Sequence, residues 1–334
     1  DTDIFIESSK GGQWAAWGLT DETLWEVNPA LVIAHISGYG QTGLESYISR
    51  ASFDPIAQAF SGIAYANGDD NTPFFPIADN VLDYYTALFA STSCLSAYIR
   101  ACRIGKGESL DIAQYECGLR TLCQYMLQDI MEHNPERRSF WIAADLVAGT
   151  GNYKCKEGSL FIMSTGAAVA KRMATLLGFD YGSESFPACG YAIYRATEQG
   201  KQLEAALLEM CAQHTAAEMD HILNENRIPC SQVITYQDML TNEQYIARDS
   251  LTTTPSTRWE DPEHPGQPLQ VRVPNIVPKT KVNPLSIWRT GVDFGFDTRD
   301  VLEDLGYSPD EIQGFFDDGI SVSVQDQCQR YRHL

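Results

Sequence analysis

The sequence predicts an α/β fold, and three stretches carry this prediction. Residues 31–36 form a continuous apolar run that ends in a glycine-rich turn, which is typical of a parallel strand buried on both faces. A long helical pattern follows over residues 80–103. From Gly149 the pattern changes to that of a hairpin, with residues 157–158 in its turn. We therefore expect a parallel-sheet region followed by a smaller region of mixed helices and strands.

Shorter patterns predict the remaining elements. In chain order they are a strand at residues 4–6, a short helix at 54–64, a short strand and a helix between 105 and 131, helices around 200–225 and 236–247, loop and edge strand over 251–284, and two helices in the C-terminal tail. The 251–284 segment is assigned to loop and edge strand because threonine and proline are abundant there. The last two helices are separated by a Gly-Tyr-Ser-Pro break at residues 306–309.

The helical pattern over residues 80–103 has two different faces. The large apolar residues that recur at helical spacing are Leu82, Tyr85, Phe89, Tyr98 and Ile99. Another face carries one acid and otherwise small residues, namely Asp83, Ala87, Ala90 and Cys94. Small side chains on this second face would let another backbone or a ligand come close.

Composition narrows the class of protein. Of the 334 residues, 44% are hydrophobic and 20% are charged, as in an ordinary globular protein. The net charge of −20 argues against nucleic acid as a partner, and no apolar run is long enough to span a membrane. The cysteines form no CxxC pair and the histidines show no ligand spacing, so we expect no metal and a reducing, cytoplasmic location. The cysteines expected to be buried thiols are Cys94, Cys102, Cys117 and Cys123.

A glycine motif follows the strand at residues 31–36. Residues 38–43, GYGQTG, match the G-x-G-x-x-G pattern of dinucleotide sites, in which a helix opens at once with its N-terminus at the pyrophosphate. Here no clear helical face follows, Pro55 interrupts the segment, and the acid expected at the end of a second strand is missing. This context argues against a nicotinamide cofactor.

Asp83 stands in the first turn of the predicted helix over residues 80–103. An acid there is stabilised by the helix dipole, with Asp79 or Asn80 as the N-cap residue, and this structural interpretation needs no reaction. The same position keeps a carboxylate ionised, which a nucleophile requires. The residues alone leave both interpretations open.

Six fragments in consistent order resemble the class III (formyl-CoA transferase-like) CoA-transferases. They are TDIFIESSKG, NPALVIAHISGYGQTG, DPIAQAFSG, ADNVLDYYTAL, GKGESLDIAQYE and GYSPDEIQ. The resemblance covers essentially the whole chain and is greatest to members that move CoA among carnitine, crotonobetaine and γ-butyrobetaine. It implies an open Rossmann-like CoA-binding domain at residues 1–145, a small α+β domain at 146–268, and a segment at 269–334 that returns to the first domain.

The resemblance also implies a catalytic role for Asp83. In this family an aspartate at the matching point attacks the acyl-CoA thioester to form a mixed anhydride. The CoA thiolate then returns to form an aspartyl-CoA thioester, and the acceptor carboxylate reverses both steps. Backbone N–H groups near the helix N-terminus are expected to stabilise the oxyanions. Acyl-CoA and a small carboxylic acid with a trimethylammonium group are the expected substrates, and no permanently bound cofactor is implied.

Further residues match family contacts to CoA. Lys10 matches a lysine that lies against CoA, where an ammonium suits a phosphate, although a solvated surface lysine is the alternative. Phe53 and Asp54 match positions beside the CoA channel in some members, and core packing and capping explain them equally well. Where the family has a second basic contact, this chain has Trp17, which would stack on adenine unless the charge comes from elsewhere. The aromatic candidates for a trimethylammonium group are Trp14, Tyr84, Tyr85, Tyr115, Phe140 and Trp141.

The family's assembly implies partners for this chain. Family members form interlocked homodimers and carry βα units ahead of the TDIFIE fragment, so we expect the chain to be inactive without such units. Two alternatives stay open. One is a racemase of the same superfamily, which abstracts a proton with His/Asp and Glu bases. The other is an inactive fragment that acts as a dimerisation partner.

Overall fold

The computed structural model describes residues 2–68, 72–78, 80–122, 126, 131 and 146–322. The chain divides into two units, Asp1–Gln232 and Val233–Leu334. The expectations for Asp79, Cys123, Phe140 and Trp141 lie outside the described residues. Among the helices that the structure describes, each is too short or too polar to cross a lipid bilayer.

Three parallel strands form the first sheet. They are β1 (Ile4–Glu7), β2 (Val32–Ser37) and β3 (Glu108–Ala113), in the order β1-β2-β3. Val32, Ile33 and Ala34 in the first half of β2 are fully buried, so the strand predicted at residues 31–36 is confirmed. The α/β fold is confirmed with it.

Helices connect these strands on the way from β1 to β3. Between β1 and β2 lie α1 (Gln13–Ala16) and α2 (Asp21–Val27). Between β2 and β3 lie α3 (Glu45–Ile48), α4 (Asp54–Ser61), α5 (Ile63–Ala66) and α6 (Val81–Ile104), and α7 (Gln114–Thr121) follows β3 directly. Parallel strands need such crossovers because the C-terminal end of one strand and the N-terminal end of the next lie at opposite ends of the sheet.

Helix α6 confirms the long helix predicted over residues 80–103, but its buried face combines parts of the two predicted faces, since Leu82 is buried while Asp83 and Ala87 are exposed. The buried side chains are Leu82, Thr86, Ala90, Cys94, Ala97 and Ala101. Ala90 and Cys94 pack in one cluster with Ala34 of β2, so the backbone that approaches this face is the sheet. The larger side chains of Tyr85 and Phe89 stay 43% and 40% exposed. Cys102, expected to be buried, is exposed because it lies outside the buried face of α6.

A second, antiparallel sheet and its helices complete the first unit. The hairpin predicted after Gly149 is confirmed as β4 (Gly151–Lys154) and β5 (Ser159–Ile162), and β6 (Cys230–Gln232) pairs with β5. Helices α8 (Ala167–Leu176), α9 (Glu198–Gln213) and α10 (Ala216–Glu225) supply the rest of an apolar core with these strands.

The second unit contains a two-stranded ribbon and short helices. Its elements are α11 (Tyr236–Thr241), α12 (Glu243–Ala247), β7 (Leu251–Glu260), β8 (Pro268–Pro274), α13 (Thr298–Asp304) and α14 (Pro309–Asp317). Strands β7 and β8 are antiparallel, where the sequence predicted loop and edge strand. The two C-terminal helices are confirmed, and Ser308 caps α14 in a capping box with Glu311. The domain boundaries after residues 145 and 268 stay a prediction.

Candidate active site

The N-terminus of α6 is capped from another helix. Asn80 precedes α6 with a left-handed φ of 63°, and its side chain makes no capping hydrogen bond. Instead, Oδ2 of Asp54 in α4 accepts the backbone N–H groups of Leu82 at 2.6 Å and Asp83 at 2.9 Å. Asp54 is only 2% exposed, and the amide of Gln58 donates to its other oxygen. The predicted capping by Asn80 is therefore wrong, because the buried carboxylate of Asp54 already occupies these donors.

Asp83 lies at the carboxyl edge of the parallel sheet. Its side chain is exposed, and Oδ1 accepts a hydrogen bond from Nε2 of Gln114. Gln114 is the first residue of α7 and follows β3 directly, and it is only 8% exposed. In open α/β sheets the crevice beyond the carboxyl ends of the strands is where ligands bind. The acid is thus accessible to a ligand and held at a fixed place.

The glycine-rich loop after β2 packs tightly at the same edge. The N–H of Gly40 donates to Oγ of Ser37 at 2.9 Å, and the N–H of Gln41 donates to the carboxylate of Asp111 at 2.9 and 3.0 Å. A Cβ on Gly38 would meet the side chain of Ser52. The next helix, α3, has only four residues. These contacts explain the glycines by turn geometry and close packing, without a pyrophosphate.

Lys10 lies in the loop after β1, which rests on this glycine-rich loop. The N–H of Gly12 donates to the side chain of Gln41 at 3.0 Å, and a Cβ on Gly11 would come within 2.8 Å of the carbonyl oxygen of Gly40. Lys10 is exposed, and its ammonium makes no ion pair with any residue that the structure describes. Lys10 and Asp83 therefore belong to the same edge of one sheet, and they do not contact each other.

The other residues predicted to meet CoA are exposed. Phe53 is 76% exposed at the N-cap position of α4, directly before the buried Asp54. Trp17 is 62% exposed, and its ring lies edge-on to that of Trp14 with 5.7 Å between the centroids. Both are open to a ligand, whereas Asp54 serves as the cap of α6.

A half-buried cluster of titratable side chains next to the Lys10 loop was not predicted. Nδ1 of His35 lies 2.7 Å from Glu7 and Nε2 lies 2.9 Å from Asp21, and Glu7 also accepts the N–H of Ser9 at 2.6 Å. Burial lowers the pKa of His35, but the hydrogen bonds and charges of the two acids outweigh it, so the pKa is raised. The hydrogen bond between His35 and Glu7 thus fixes the start of the loop. The sequence signal is a pair of titratable residues in register on two apolar strands.

Four aromatic rings contact one another beside Gln114. Tyr39 lies against Tyr47, Phe60 and Tyr115 at centroid distances of 5.7, 5.1 and 6.2 Å. The guanidinium of Arg50 covers the ring of Tyr47 at 3.9 Å. Of the predicted aromatic candidates that the structure describes, Tyr115 belongs to this cluster. Trp14 packs on Phe5 and Trp17, and Tyr84 and Tyr85 are exposed on α6.

Known proteins resemble this chain over most of its length. Residues 1–298 match the model of CoA-transferase family III. The chain is 37% identical over 336 residues to bile acid CoA-transferase BaiK of Clostridium scindens. This match covers 96% of this chain and 72% of that protein. Two crystal structures share the fold. Rv3272 from M. tuberculosis has a TM-score of 0.67 at 16% identity, over 84% of this chain and 71% of that one. A CAIB/BAIF family protein from Brucella suis has 0.59 at 24%, over 78% and 69%.

Proposed function

This chain belongs to CoA-transferase family III, and on that premise we propose that Asp83 carries the acyl group and then CoA covalently during the transfer. The observation that carries the proposal is the accessible carboxylate of Asp83 at the ligand-binding edge of the parallel sheet, with Gln114 on one oxygen. A nucleophilic carboxylate must be ionised and reachable, and covalent catalysis divides one difficult transfer into easier steps.

The reaction has four steps at Asp83. First, Oδ2 attacks the carbonyl carbon of the acyl-CoA thioester and CoA leaves as the thiolate, which yields a mixed anhydride. Second, the thiolate attacks Cγ of Asp83 and the donor acid leaves, which yields an aspartyl-CoA thioester. Third, the acceptor carboxylate attacks Cγ and expels the thiolate. Fourth, the thiolate attacks the acceptor's carbonyl and regenerates the Asp83 carboxylate.

The capping geometry corrects one part of the expected mechanism. The sequence led us to expect backbone N–H groups of the α6 N-terminus to stabilise the oxyanions. Those of Leu82 and Asp83 donate to the buried carboxylate of Asp54 and are not free to do so. Asp54 instead holds the first turn of α6, and with it the backbone of Asp83.

CoA is proposed to meet the loop that carries Lys10. The ammonium of Lys10 is exposed and unpaired among the described residues, so it can pair with a CoA phosphate. We assign Phe53 to the channel for the pantetheine arm and Trp17 to stacking on adenine, because both side chains are well exposed. A homodimer and a cytoplasmic location complete the proposal.

Two acyl classes are supported by different observations. The resemblance of the sequence favours carnitine and related trimethylammonium acids, which aromatic faces would bind. BaiK is named for bile acids, and the aromatic cluster around Tyr39 offers an apolar surface to a ring system. Arg50 already covers Tyr47 with a positive charge, which opposes a second cation there. This contact favours the bile-acid class as the second candidate. Competition between carnitine and cholate for one acyl-CoA donor distinguishes them.

The racemase alternative lacks support around Asp83. Such an enzyme pairs an aspartate with a histidine base. The four histidines that the structure describes each have another partner: His35 contacts Glu7 and Asp21, His214 the carbonyl of Met210, His221 contacts Glu225 and His264 contacts Asp261. The contact of Asp83 with an amide suits a nucleophile better than a proton-transfer pair.

Chemical trapping of the intermediate tests the proposal. The intact protein is mixed with an acyl-CoA donor, quenched, treated with hydroxylamine or borohydride, and its peptides are analysed by mass spectrometry. We expect modification of Asp83, and loss of both modification and transfer in Asp83→Asn. Asp180→Asn, which changes an exposed aspartate of the same unit, is the matched control.

Three results would contradict the proposal. Unchanged transfer by Asp83→Asn would remove the nucleophile. Exchange of an α-proton with solvent deuterium, without acyl-enzyme, would indicate the racemase. Absence of CoA binding by calorimetry would indicate an inactive dimerisation partner.

A further inference from the structure

We propose that Gln114 is a catalytic residue, whose side-chain amide donates to the oxyanion that forms on Oδ1 of Asp83. This inference rests on the proposed function, because it requires Cγ of Asp83 to be the carbonyl carbon of an anhydride and then of a thioester. The observation behind it is the hydrogen bond from Nε2 of Gln114 to Oδ1 of Asp83 in the resting protein.

The amide is held in place by the fold. Gln114 is 8% exposed and begins α7 immediately after β3, so its backbone is tied to the sheet. Helix α7 packs closely on α4, since a Cβ on Gly118 would lie 2.6 Å from Oγ of Ser61. Helix α4 also supplies Asp54, the cap of α6. Contacts with α4 therefore fix the positions of both the donor, Gln114, and the nucleophile, Asp83. Electrostatic catalysis requires such pre-organisation.

Few other donors compete for this role. The N–H groups of Leu82 and Asp83 are occupied by Asp54. Within the described part of the chain, Gln114 is the residue whose side chain donates to the Asp83 carboxylate. The amide carries no charge, so it can polarise the carbonyl without forming a salt bridge that would weaken the nucleophile.

The hydrogen bond assigns different roles to the two oxygens of Asp83. Oδ2 is free to attack the donor's carbonyl, and Oδ1 remains the carbonyl oxygen of the anhydride. When the CoA thiolate attacks Cγ, the C=O electron pair moves onto Oδ1, opposite the amide N–H. Collapse restores C=O, breaks the bond from Cγ to the bridging oxygen, and releases the donor carboxylate. Attack of the acceptor carboxylate on the thioester passes through the same oxyanion and expels the thiolate.

Substitutions of Gln114 test this role. Gln114→Met keeps the length of the side chain and removes the donor. Gln114→Asn keeps the amide but shortens the side chain, so the amide lies farther from Asp83. Loss of one oxyanion donor is expected to lower kcat by about 10²-fold or more, with a smaller change in KM. Gln199→Met is the matched control, because Gln199 is a partly buried glutamine whose amide donates to the carbonyl of Pro187 away from this site.

A second readout separates this role from a purely structural one. Hydroxylamine attacks the Asp83 thioester through a tetrahedral centre with its charge on Oδ1. We expect its rate of attack on preformed thioester to fall in Gln114→Met by a factor similar to the fall in kcat. Thermal unfolding of both variants checks the fold, and Gln114→Asn gives the answer if the Met variant does not fold.

The outcomes distinguish this inference from the function itself. Unchanged kcat in both Gln114 variants, with Asp83 still modified, overturns the oxyanion role and leaves the proposed function standing. Absence of modification at Asp83 in the unaltered protein overturns both.

Discussion

Replacement of Asp54 is expected to loosen the helix that carries the proposed nucleophile. In Asp54→Ala the N–H groups of Leu82 and Asp83 lose their acceptor, and Leu82 is fully buried. An unsatisfied buried donor costs about 1–3 kcal/mol, and loss of a helix cap costs about 0.5–2 kcal/mol. For one buried donor and the lost cap together we expect the free energy of unfolding to fall by about 1.5–5 kcal/mol.

The isosteric variant separates the charge from the hydrogen bond. In Asp54→Asn a carbonyl oxygen remains as acceptor for the two N–H groups. The losses are the attraction between a carboxylate and the helix dipole, about 0.3–2 kcal/mol, and the hydrogen bond from Gln58, whose amide N–H then faces the new Asn amide. Because the first turn of α6 then moves more, kcat for CoA transfer is expected to fall more than KM rises. Denaturant unfolding followed by circular dichroism measures the first effect, and steady-state kinetics measures the second.

A first-turn acid that caps nothing is the control. Glu198 in α9 is such a residue, and Glu198→Ala is expected to change stability by no more than about 0.5 kcal/mol. If Asp54→Ala were as stable as Glu198→Ala, the N–H groups would have found other acceptors, and the capping argument would be refuted.

Three further changes test the surroundings of the site. His35→Gln should lose most stability in acid, because burial lowers the pKa of His35 but its two acidic partners raise it more. Its contribution is complete below the unfolded value of 6.5 and lost as pH rises through the raised pKa, so a stability difference that does not shrink with pH in urea unfolding would refute it. Gly107→Ala would place a Cβ against the carbonyl oxygen of the residue before β2, and it should lower the free energy of unfolding by about 1–3 kcal/mol. Gly190→Ala, where a Cβ meets open space, should leave stability unchanged, and equal melting temperatures of the two variants would contradict this prediction. Lys10→Ala should raise KM for acyl-CoA with little change in kcat, and a similar rise in Lys171→Ala, another exposed lysine, would remove the phosphate contact.

Local pattern was enough to predict the elements with the strongest periodicity, whereas α2, α8 and β6 were not predicted. The apolar run at residues 31–36 predicted β2 because a strand covered on both faces needs no polar alternation. The 3.6-residue period predicted α6 to within one residue at each end, Val81 and Ile104. It did not show which stripe would be buried, since large and small residues both recur at that period. The sheet packs against a stripe of mostly small side chains that includes Ala90 and Cys94 but leaves Asp83 and Ala87 of the predicted small-residue face exposed.

The candidate site depended on contacts between distant parts of the chain. The cap of α6 comes from Asp54, 28 residues before Leu82, whereas the residues next to the helix led us to expect Asp79 or Asn80. The hydrogen bond between Asp83 and Gln114 spans 31 residues, and no spacing rule connects them. The pairing of Glu7 with His35 follows only from strand register. Resemblance of the sequence predicted a role for Asp83, and three-dimensional packing supplies its hydrogen-bond partner.

The small buried side chains of α6 link the position of Asp83 to residues far along the same helix. Ala97 and Ala101 share one apolar cluster with Val32 of β2, and fourteen residues separate Ala97 from Asp83, about 21 Å along the helix axis. A bulkier side chain at position 97 would push this part of α6 away from the sheet. A tilt of about 3° would swing the far end by about 1 Å, a misplacement that costs on the order of 10²-fold in rate. The packing of Ala97 and Ala101 on Val32 therefore helps to set the position of the proposed nucleophile.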